Sequence, residues 1–416
     1  MDTEDIPFAR PFVGREEEEA VLRVLRSGWL TTGQEALAFE KEFAAFLETG
    51  SPEIGAAEPL SPLNCLAVNS ATSGLHLALE ACGVGPGDTV LVPSYTFTST
   101  AEVVRYLGAE PVFVDIAPGS PLMDPLALES TLERLFQGRP AYPARNGKGD
   151  GFGPRGKPRA LIPVHYGGLP CDMKAIMGIA QRYQVKVIED AAHAFPSRTD
   201  AGFAGDLADI GVFSFYATKT ITTGEGGMVA VRDKALADRI GIMRLHGIDR
   251  TVWNRYTEQK ASWYYEVVEP GFKYNMPDIL AAIGRVQLGR AWALLEKRRN
   301  IAATYDAAFA GDGRFALPPS GTADARHLYP LGLNLETLAL SRDTIIEKLQ
   351  ERGIGVSVHF IPLHTMPYYR KRQDLMPGDF PESLKRFQRV ISLPIWPGME
   401  TAQVERVIAV LKAVTE

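Results

Sequence analysis

Ile210-Gly-Val-Phe-Ser214, then Phe215-Tyr-Ala-Thr-Lys219, then Thr220-Ile-Thr-Thr-Gly-Glu-Gly-Gly227-Met-Val-Ala-Val231 is the stretch on which the reading of this chain turns. Two continuous apolar runs flank a loop of small and hydroxyl residues. Such runs mark strands of a sheet that is covered on both faces. The loop carries one lysine, Lys219, just beyond the first strand. Partial removal from water disfavours the charged form of an amine, so a lysine in this place is a nucleophile. Ser214 offers a hydroxyl that can hold an anion nearby. The glycines of Gly224-Glu225-Gly226-Gly227 suit tight backbone packing behind the lysine, and Glu225 reads as a residue that fixes the loop.

Working outward, Val185-Lys-Val-Ile-Glu-Asp190 reads as a buried strand that ends in acid, followed by Ala191-Ala-His193. An Asp at the carboxyl end of a strand in an α/β sheet points into the crevice where ligands bind. Further upstream, Leu66-Ala-Val-Asn-Ser-Ala-Thr72-Ser73-Gly74 turns from strand to helix. Leu75, Ala78, Leu79 and Cys82 then fall on one helical face. Free N–H groups and the positive end of the helix dipole meet at that turn and favour a phosphate, with Thr72 and Ser73 as added hydroxyl donors. A reactive lysine, a carboxylate able to keep a pyridine nitrogen protonated and a phosphate turn together suggest pyridoxal phosphate (PLP) chemistry. His193 is placed to bond the ring hydroxyl or to pack on the ring.

The order phosphate turn, Asp, Lys, with Pro93-Ser-Tyr-Thr-Phe97-Thr-Ser-Thr100, resembles the fold-type I aminotransferases. More narrowly, the chain resembles the DegT/DnrJ/EryC1/StrS family of nucleotide-sugar aminotransferases over nearly its whole length. Ser27-Gly-Trp-Leu-Thr-Thr-Gly33 is similar to the family's substrate-side loop, and Ile162-Pro-Val-His-Tyr-Gly167 to its central strand. Gly271-Phe-Lys-Tyr-Asn-Met-Pro-Asp278 with Ala281-Ala-Ile-Gly284 is similar to the segment that reaches into the partner subunit's site. Arg352-Gly-Ile-Gly-Val-Ser-Val-His359-Phe360 and Ser392-Leu-Pro-Ile-Trp-Pro397 are similar to the small domain. The Lys-Tyr-Asn pattern within the partner-reaching segment resembles the 4-amino-4-deoxyarabinose branch, which acts on UDP-sugars.

The resemblance implies an α/β fold: a large domain (1–280) with a mostly parallel sheet of the seven-stranded type between helices, and a smaller C-terminal α+β domain (281–416). It implies Lys219 as the catalytic residue. Thr72, Ser73, Phe97, Asp190, His193, Ser214 and Lys219 would hold PLP, with Phe97 stacking on the ring. Lys273 or Asn275 would reach the neighbour's phosphate in a homodimer with shared active sites. Trp29, Thr31 and His359 are candidates for the substrate side, and either His359 or His364 could face the sugar nucleotide. The implied reaction moves an amino group from an amino acid, L-glutamate in the family, to a keto sugar on a nucleotide. Its products would serve cell-surface polysaccharide or secondary-metabolite synthesis. Two rival readings differ in testable ways. A PLP dehydratase of the same fold carries His in the family where this chain has Lys219. A non-catalytic sugar-nucleotide-binding regulator would tolerate loss of Lys219 or Asp190, and both are present.

Composition sets bounds. With 416 residues, 45% of them hydrophobic, the chain can bury a large core divided between two domains. No apolar run approaches the ~20 residues of a membrane span. Met1-Asp-Thr-Glu-Asp is acidic and polar, which does not read as a secretory signal. A net charge of −6 with both signs scattered leaves no basic footprint for nucleic acid. Cys65, Cys82 and Cys171 lack metal-ligand spacing, so no metal is expected, and a reducing, cytoplasmic setting is. Strands are predicted at Val90–Pro93, Pro111–Asp115, Ala160–Val164, Val185–Ile188, Ile210–Ser214 and Gly227–Val231, alternating with helical patterns. Gln137 to Lys157 and Glu48 to Pro62 read as inserted surface loops. A long helix through Ile279 to Asn300 leads into the small domain.

Overall fold

The structure, a computed structural model, describes residues 5–53, 62–249, 264–319, 321 and 323–416. The predicted insertion at Glu48 to Pro62 lies for the most part outside the described residues. The strands are β1 Asn64–Val68, β2 Asp88–Pro93, β3 Glu110–Val114, β4 Lys157–Leu161, β5 Lys186–Asp190, β6 Arg198–Thr199, β7 Gly202–Phe203, β8 Ile210–Ser214, β9 Gly227–Val231, β10 Phe315–Ala316, β11 Tyr329–Leu333 and β12 Val390–Leu393.

Seven of them form the main sheet in the order β1-β9-β8-β5-β4-β2-β3. Neighbours from β8 to β3 run parallel, and β9 alone runs against both of its neighbours. Burial explains the apolar runs: all five residues of β8 and of β9 are buried. One core lies against the helices 71–81, 99–106, 125–136, 173–183 and 234–243. Another lies under the helix Gln34–Thr49 and is rich in phenylalanine: Phe39, Phe43 and Phe46 meet Phe195, Phe213 and Phe215. Because β9 is reversed, its start at Gly227 lies at the same sheet edge as the ends of β1, β5 and β8. That edge is where an open α/β sheet binds ligands.

Two glycines let the helix Ala71–Ala81 begin at this edge. A Cβ on Gly227 would stand 2.8 Å from the Ala71 nitrogen and from the Phe213 carbonyl oxygen. A Cβ on Gly74 would stand 2.8 Å from Val212 Cγ1. Any other residue at either place would push the helix start off the sheet.

A third core packs the three-stranded antiparallel sheet β10-β11-β12 against the helices Ala291–Phe309, Arg342–Gln350 and Thr401–Val414. Packing crosses a cut at residue 280 in both directions. Ile6 is buried in the small core and bridges Ile354, while Leu363, Tyr369, Leu375 and Phe380 are buried in the large one. The predicted long helix is two: Asp278–Gly289, set against Arg15–Ser27 and Gln34–Thr49, and Ala291–Phe309. The segment predicted as an inserted surface loop at 137–157 is largely at the surface but is anchored to the core at Tyr142. Tyr142 pairs with Phe152, is buried, and its hydroxyl accepts a 2.8 Å bond from the Phe113 N–H. Among the described residues, no helix is long and apolar enough to cross a membrane.

Candidate active site

A cleft of about 460 Å³ opens at the carboxyl edge of the main sheet. Its floor is made by Ser70–Thr72, Asp190, His193, Ser214 and Lys219; Phe97 stands at one side. The roof comes from elsewhere in the chain: Phe8, His327, His359, Phe360 and Ile395. Of the residues predicted from sequence, Thr72, Phe97, Asp190, His193, Ser214, Lys219 and His359 are therefore gathered in one place.

The Lys219 loop is held by a turn in which the Lys219 N–H donates to the Tyr216 carbonyl at 2.9 Å. Burial pulls the Lys219 amine down from 10.5 to about 8. Asp190 opposes that fall and Arg298 adds to it. Among the described residues the amine has no hydrogen bond or ion pair of its own, and its lowered pKa makes the neutral, nucleophilic form available closer to neutrality than in an ordinary lysine. The Asp190 carboxylate receives the Thr100 hydroxyl at 2.9 Å and the Ala192 N–H at 3.2 Å. Burial raises its pKa, and those two bonds and Lys219 work against the rise. The acid is thus fixed in direction, with burial sharpening its demand for a cationic partner.

His193 Nδ1 accepts the Gly167 N–H at 3.2 Å, which leaves the proton on Nε2. The ring lies 4.5 Å from His327 and stacks on Phe360 at 5.8 Å. Burial drives His193 and His327 well below the usual histidine range, and His359 down to about 4, so all three are neutral. Phe97 is 57% exposed although it lines a cleft, and its ring centroid lies 6.0 Å from that of Phe360.

At the helix start, Ser70 is the N-cap: its hydroxyl accepts the Ser73 N–H at 3.1 Å. The N–H groups of Ala71 and Thr72, in the first turn, have no carbonyl behind them and suit an anion. Ser73 was expected to donate to the phosphate, and its side chain is turned the other way. Its hydroxyl donates to Asn69 Oδ1 at 2.7 Å and to the Ser70 carbonyl at 2.8 Å, and the residue does not line the cleft.

The other expected residues stand outside the cleft of their own chain. Trp29 Nε1 donates to the Thr32 carbonyl at 3.2 Å, and the Thr31 carbonyl accepts the Asp278 N–H at 3.2 Å. That loop is braced on the helix Asp278–Gly289, where Asp278 receives the Gly33 N–H at 2.7 Å. The Lys273 amine donates to Asn275, whose amide donates to the Thr32 hydroxyl. His364 is buried between Ser94 and the Pro377 carbonyl, away from the cleft. Conversely, His327 and Arg298 carry no signal in the sequence, because no strand end or glycine turn marks them. Tyr95 and Tyr166 also went unread: both hydroxyls donate to the His359 carbonyl, Tyr166 at 2.6 Å.

A seven-stranded, mostly parallel sheet with its cleft at the strand ends and a smaller sheet beside it is the architecture of the PLP-dependent aminotransferases. The model of the DegT/DnrJ/EryC1/StrS aminotransferase family matches residues 11–412, and the chain belongs to that family. It is 39% identical over 414 residues to the spore coat polysaccharide biosynthesis protein SpsC of Bacillus subtilis, covering 99% of this chain and 97% of that one. Among solved structures, Spr1654 of Streptococcus pneumoniae in its PMP-form superposes with a TM-score of 0.84 at 30% identity, covering 99% of each chain. The same protein in its PLP-form gives a TM-score of 0.82. Helicobacter pylori PseC, an aminotransferase involved in the biosynthesis of pseudoaminic acid, gives a TM-score of 0.82 at 25% identity over 99% of each chain. The cofactor is pyridoxal phosphate. These relatives lend no support to the 4-amino-4-deoxyarabinose branch, so that finer expectation is not kept.

Proposed function

We propose that the enzyme aminates a nucleotide-linked keto sugar, taking the amino group from an amino acid, L-glutamate. The observation that carries the reading is the Lys219 amine, free of partners and brought down to about 8, in one cleft with the oriented carboxylate of Asp190. Bound pyridoxal phosphate supplies a carbonyl that takes up the amino group and a ring that accepts electrons from the deprotonated carbon. Residues of this chain fit that group. Asp190 would face the ring nitrogen, Phe97 would cover one ring face, and His193 would meet the hydroxyl or the ring. Thr72, Ser214 and the N–H groups of Ala71 and Thr72 would hold the phosphate. With that group bound, Lys219 would take the proton from the amino-acid carbon that bears the nitrogen, as general base, and would give it back on the far side of that nitrogen, as general acid. The same amine serves the return half-reaction on the sugar ketone. SpsC and PseC, whose names place them in polysaccharide and pseudoaminic acid synthesis, support a sugar substrate and a biosynthetic role.

The test is a screen of UDP-, dTDP- and GDP-keto sugars with glutamate, read by 2-oxoglutarate formation. Product with none of them, while glutamate alone still bleaches the cofactor's visible band, would keep the transaminase and remove the sugar half of the reading. The setting we propose is cytoplasmic, which cell fractionation would check. We also propose a homodimer in which Lys273 or Asn275 serves the partner's site, since both stand outside the cleft of their own chain. Mixing inactive Lys219→Ala with an inactive Lys273→Ala/Asn275→Ala variant should restore activity through hybrid dimers. A fully active monomer at micromolar concentration would rule the shared site out.

A further inference from the structure

Arg298, on the helix Ala291–Phe309, is buried and forms no ion pair among the described residues. Its guanidinium is caged by carbonyls: those of His327 at 3.2 Å, Ile395 at 2.9 Å, Thr218 at 3.2 Å and Lys219 at 3.5 Å. Nε has no partner among the described residues. A buried cation without a counter-ion is costly, and neutral carbonyls offset only part of that cost. Packing alone does not call for it, because an apolar side chain of similar length would fill the same space. Its contacts, however, join two parts of the site: two of the carbonyls belong to the turn that bears Lys219, and two to the roof.

We propose that Arg298 is a positioning residue for the transamination, tying the Lys219 turn to the roof and setting a fixed positive charge behind the amine. The proposal rests on Lys219 being the reactive amine. The charges and titratable groups facing Lys219 are few. Asp190 favours its protonated form, Arg298 disfavours it, and His193, His327 and His359 are neutral by burial. Glu225 lies at the mouth of the same cleft. Arg298 is thus the one named cation that counters Asp190. Without it, the balance tips toward an ammonium, which can neither attack a carbonyl nor accept a proton.

The experiment follows PLP uptake by the apoprotein against pH, with the linkage fixed by borohydride. Only a neutral lysine reacts, so the rate rises with pH through the amine's midpoint. Lys219→Ala should take up no borohydride-fixed cofactor; fixation at another lysine would overturn both the reading and the proposal. With Lys219 so established, Arg298→Met should move the midpoint up by roughly half a pH unit or more. Arg298→Gln keeps amide donors for the carbonyls and gives the same reading should the Met variant fail to fold. Arg298→Lys keeps the charge, and should hold the wild-type midpoint while melting at a lower temperature. A folded Met or Gln variant with an unmoved midpoint overturns the proposal. So does a Lys variant whose midpoint moves as far as that of the neutral variants.

Discussion

The floor of the cleft is contributed by strand ends and a helix start, and its roof by irregular segments that lean on the small sheet. Asp190 ends β5, Ser214 ends β8, Lys219 follows within one turn, and Thr72 opens a helix that two glycines seat against the same strands. Asp190, Ser214 and Thr72 are placed by strand and helix hydrogen bonding, and Lys219 by the turn that follows β8, so their directions are set before any ligand arrives. Phe8, His327, His359 and Phe360 lie outside the strands and are held by side chains: Tyr95 and Tyr166 on the His359 carbonyl, Ser392 on His359 Nδ1 at 2.9 Å, and Arg298 on the His327 carbonyl. Reaction chemistry needs fixed atoms, and the rigid sheet supplies them. Selectivity for a variable substrate suits the roof, where loops can change without moving the sheet.

The sharpest break of that contrast is at Lys219. Lys219→Ala should lower turnover by at least ~10³-fold, because one amine is both the attachment point and the proton carrier. Its circular dichroism should remain that of the wild type, since the loop is held by backbone bonds at Tyr216 and Thr223. Wild-type-like kcat would end the assignment. Asp190→Asn comes next: PLP should stay bound, with a rate loss of roughly a hundredfold, since an amide cannot keep a pyridine nitrogen protonated. An unchanged rate would reduce Asp190 to a strand-end acid that binds Thr100.

A third test reads the floor through stability. In the apoprotein, Lys219 loses its proton near 8, and in the unfolded chain near 10.5. Between those values the unfolded state binds the extra proton, so stability rises with pH across that window. The full gap corresponds to about 3 kcal/mol. Urea unfolding of apo wild type should show the rise, and apo Lys219→Met should lack it while being the more stable of the two at pH 7. Parallel curves for both proteins would mean that the amine is solvated.

What could be read from the sequence follows the same division. Continuous apolar runs marked the predicted strands of the main sheet, and their ends pointed to Asp190, Ser214 and, a few residues on, Lys219, because strand direction carries that information locally. His327 and Arg298 escaped notice. Their places depend on a helix and a loop meeting the Lys219 turn across about 80 positions of chain, as the Arg298 bond to the Thr218 carbonyl does. The anchored hairpin at Tyr142 was missed for a related reason: Gly, Pro, Arg and Lys signal a turn but not what the turn packs on. Within the floor itself, Ser70, Thr72 and Ser73 were not separable, since a shift of one residue in the N-cap decides which hydroxyl faces the ligand.

That last ambiguity gives the smallest and most local test. Thr72→Ala and Ser214→Ala each remove one hydroxyl from the cleft lining. Each should weaken PLP binding by about ten- to a hundredfold, the equivalent of a charge-assisted bond of roughly 1.5–3 kcal/mol. kcat at saturating PLP should be largely kept, because the helix N–H groups remain. Ser73→Ala should behave differently. Its hydroxyl is spent on Asn69 and the Ser70 carbonyl, so PLP affinity should not change. Thermal or urea unfolding should instead show a loss of about 1 kcal/mol from the capping network. If Ser73→Ala weakened PLP binding as much as Thr72→Ala, the helix would have to begin in a different register when the cofactor is bound. If neither changed it, the phosphate would bind away from this turn.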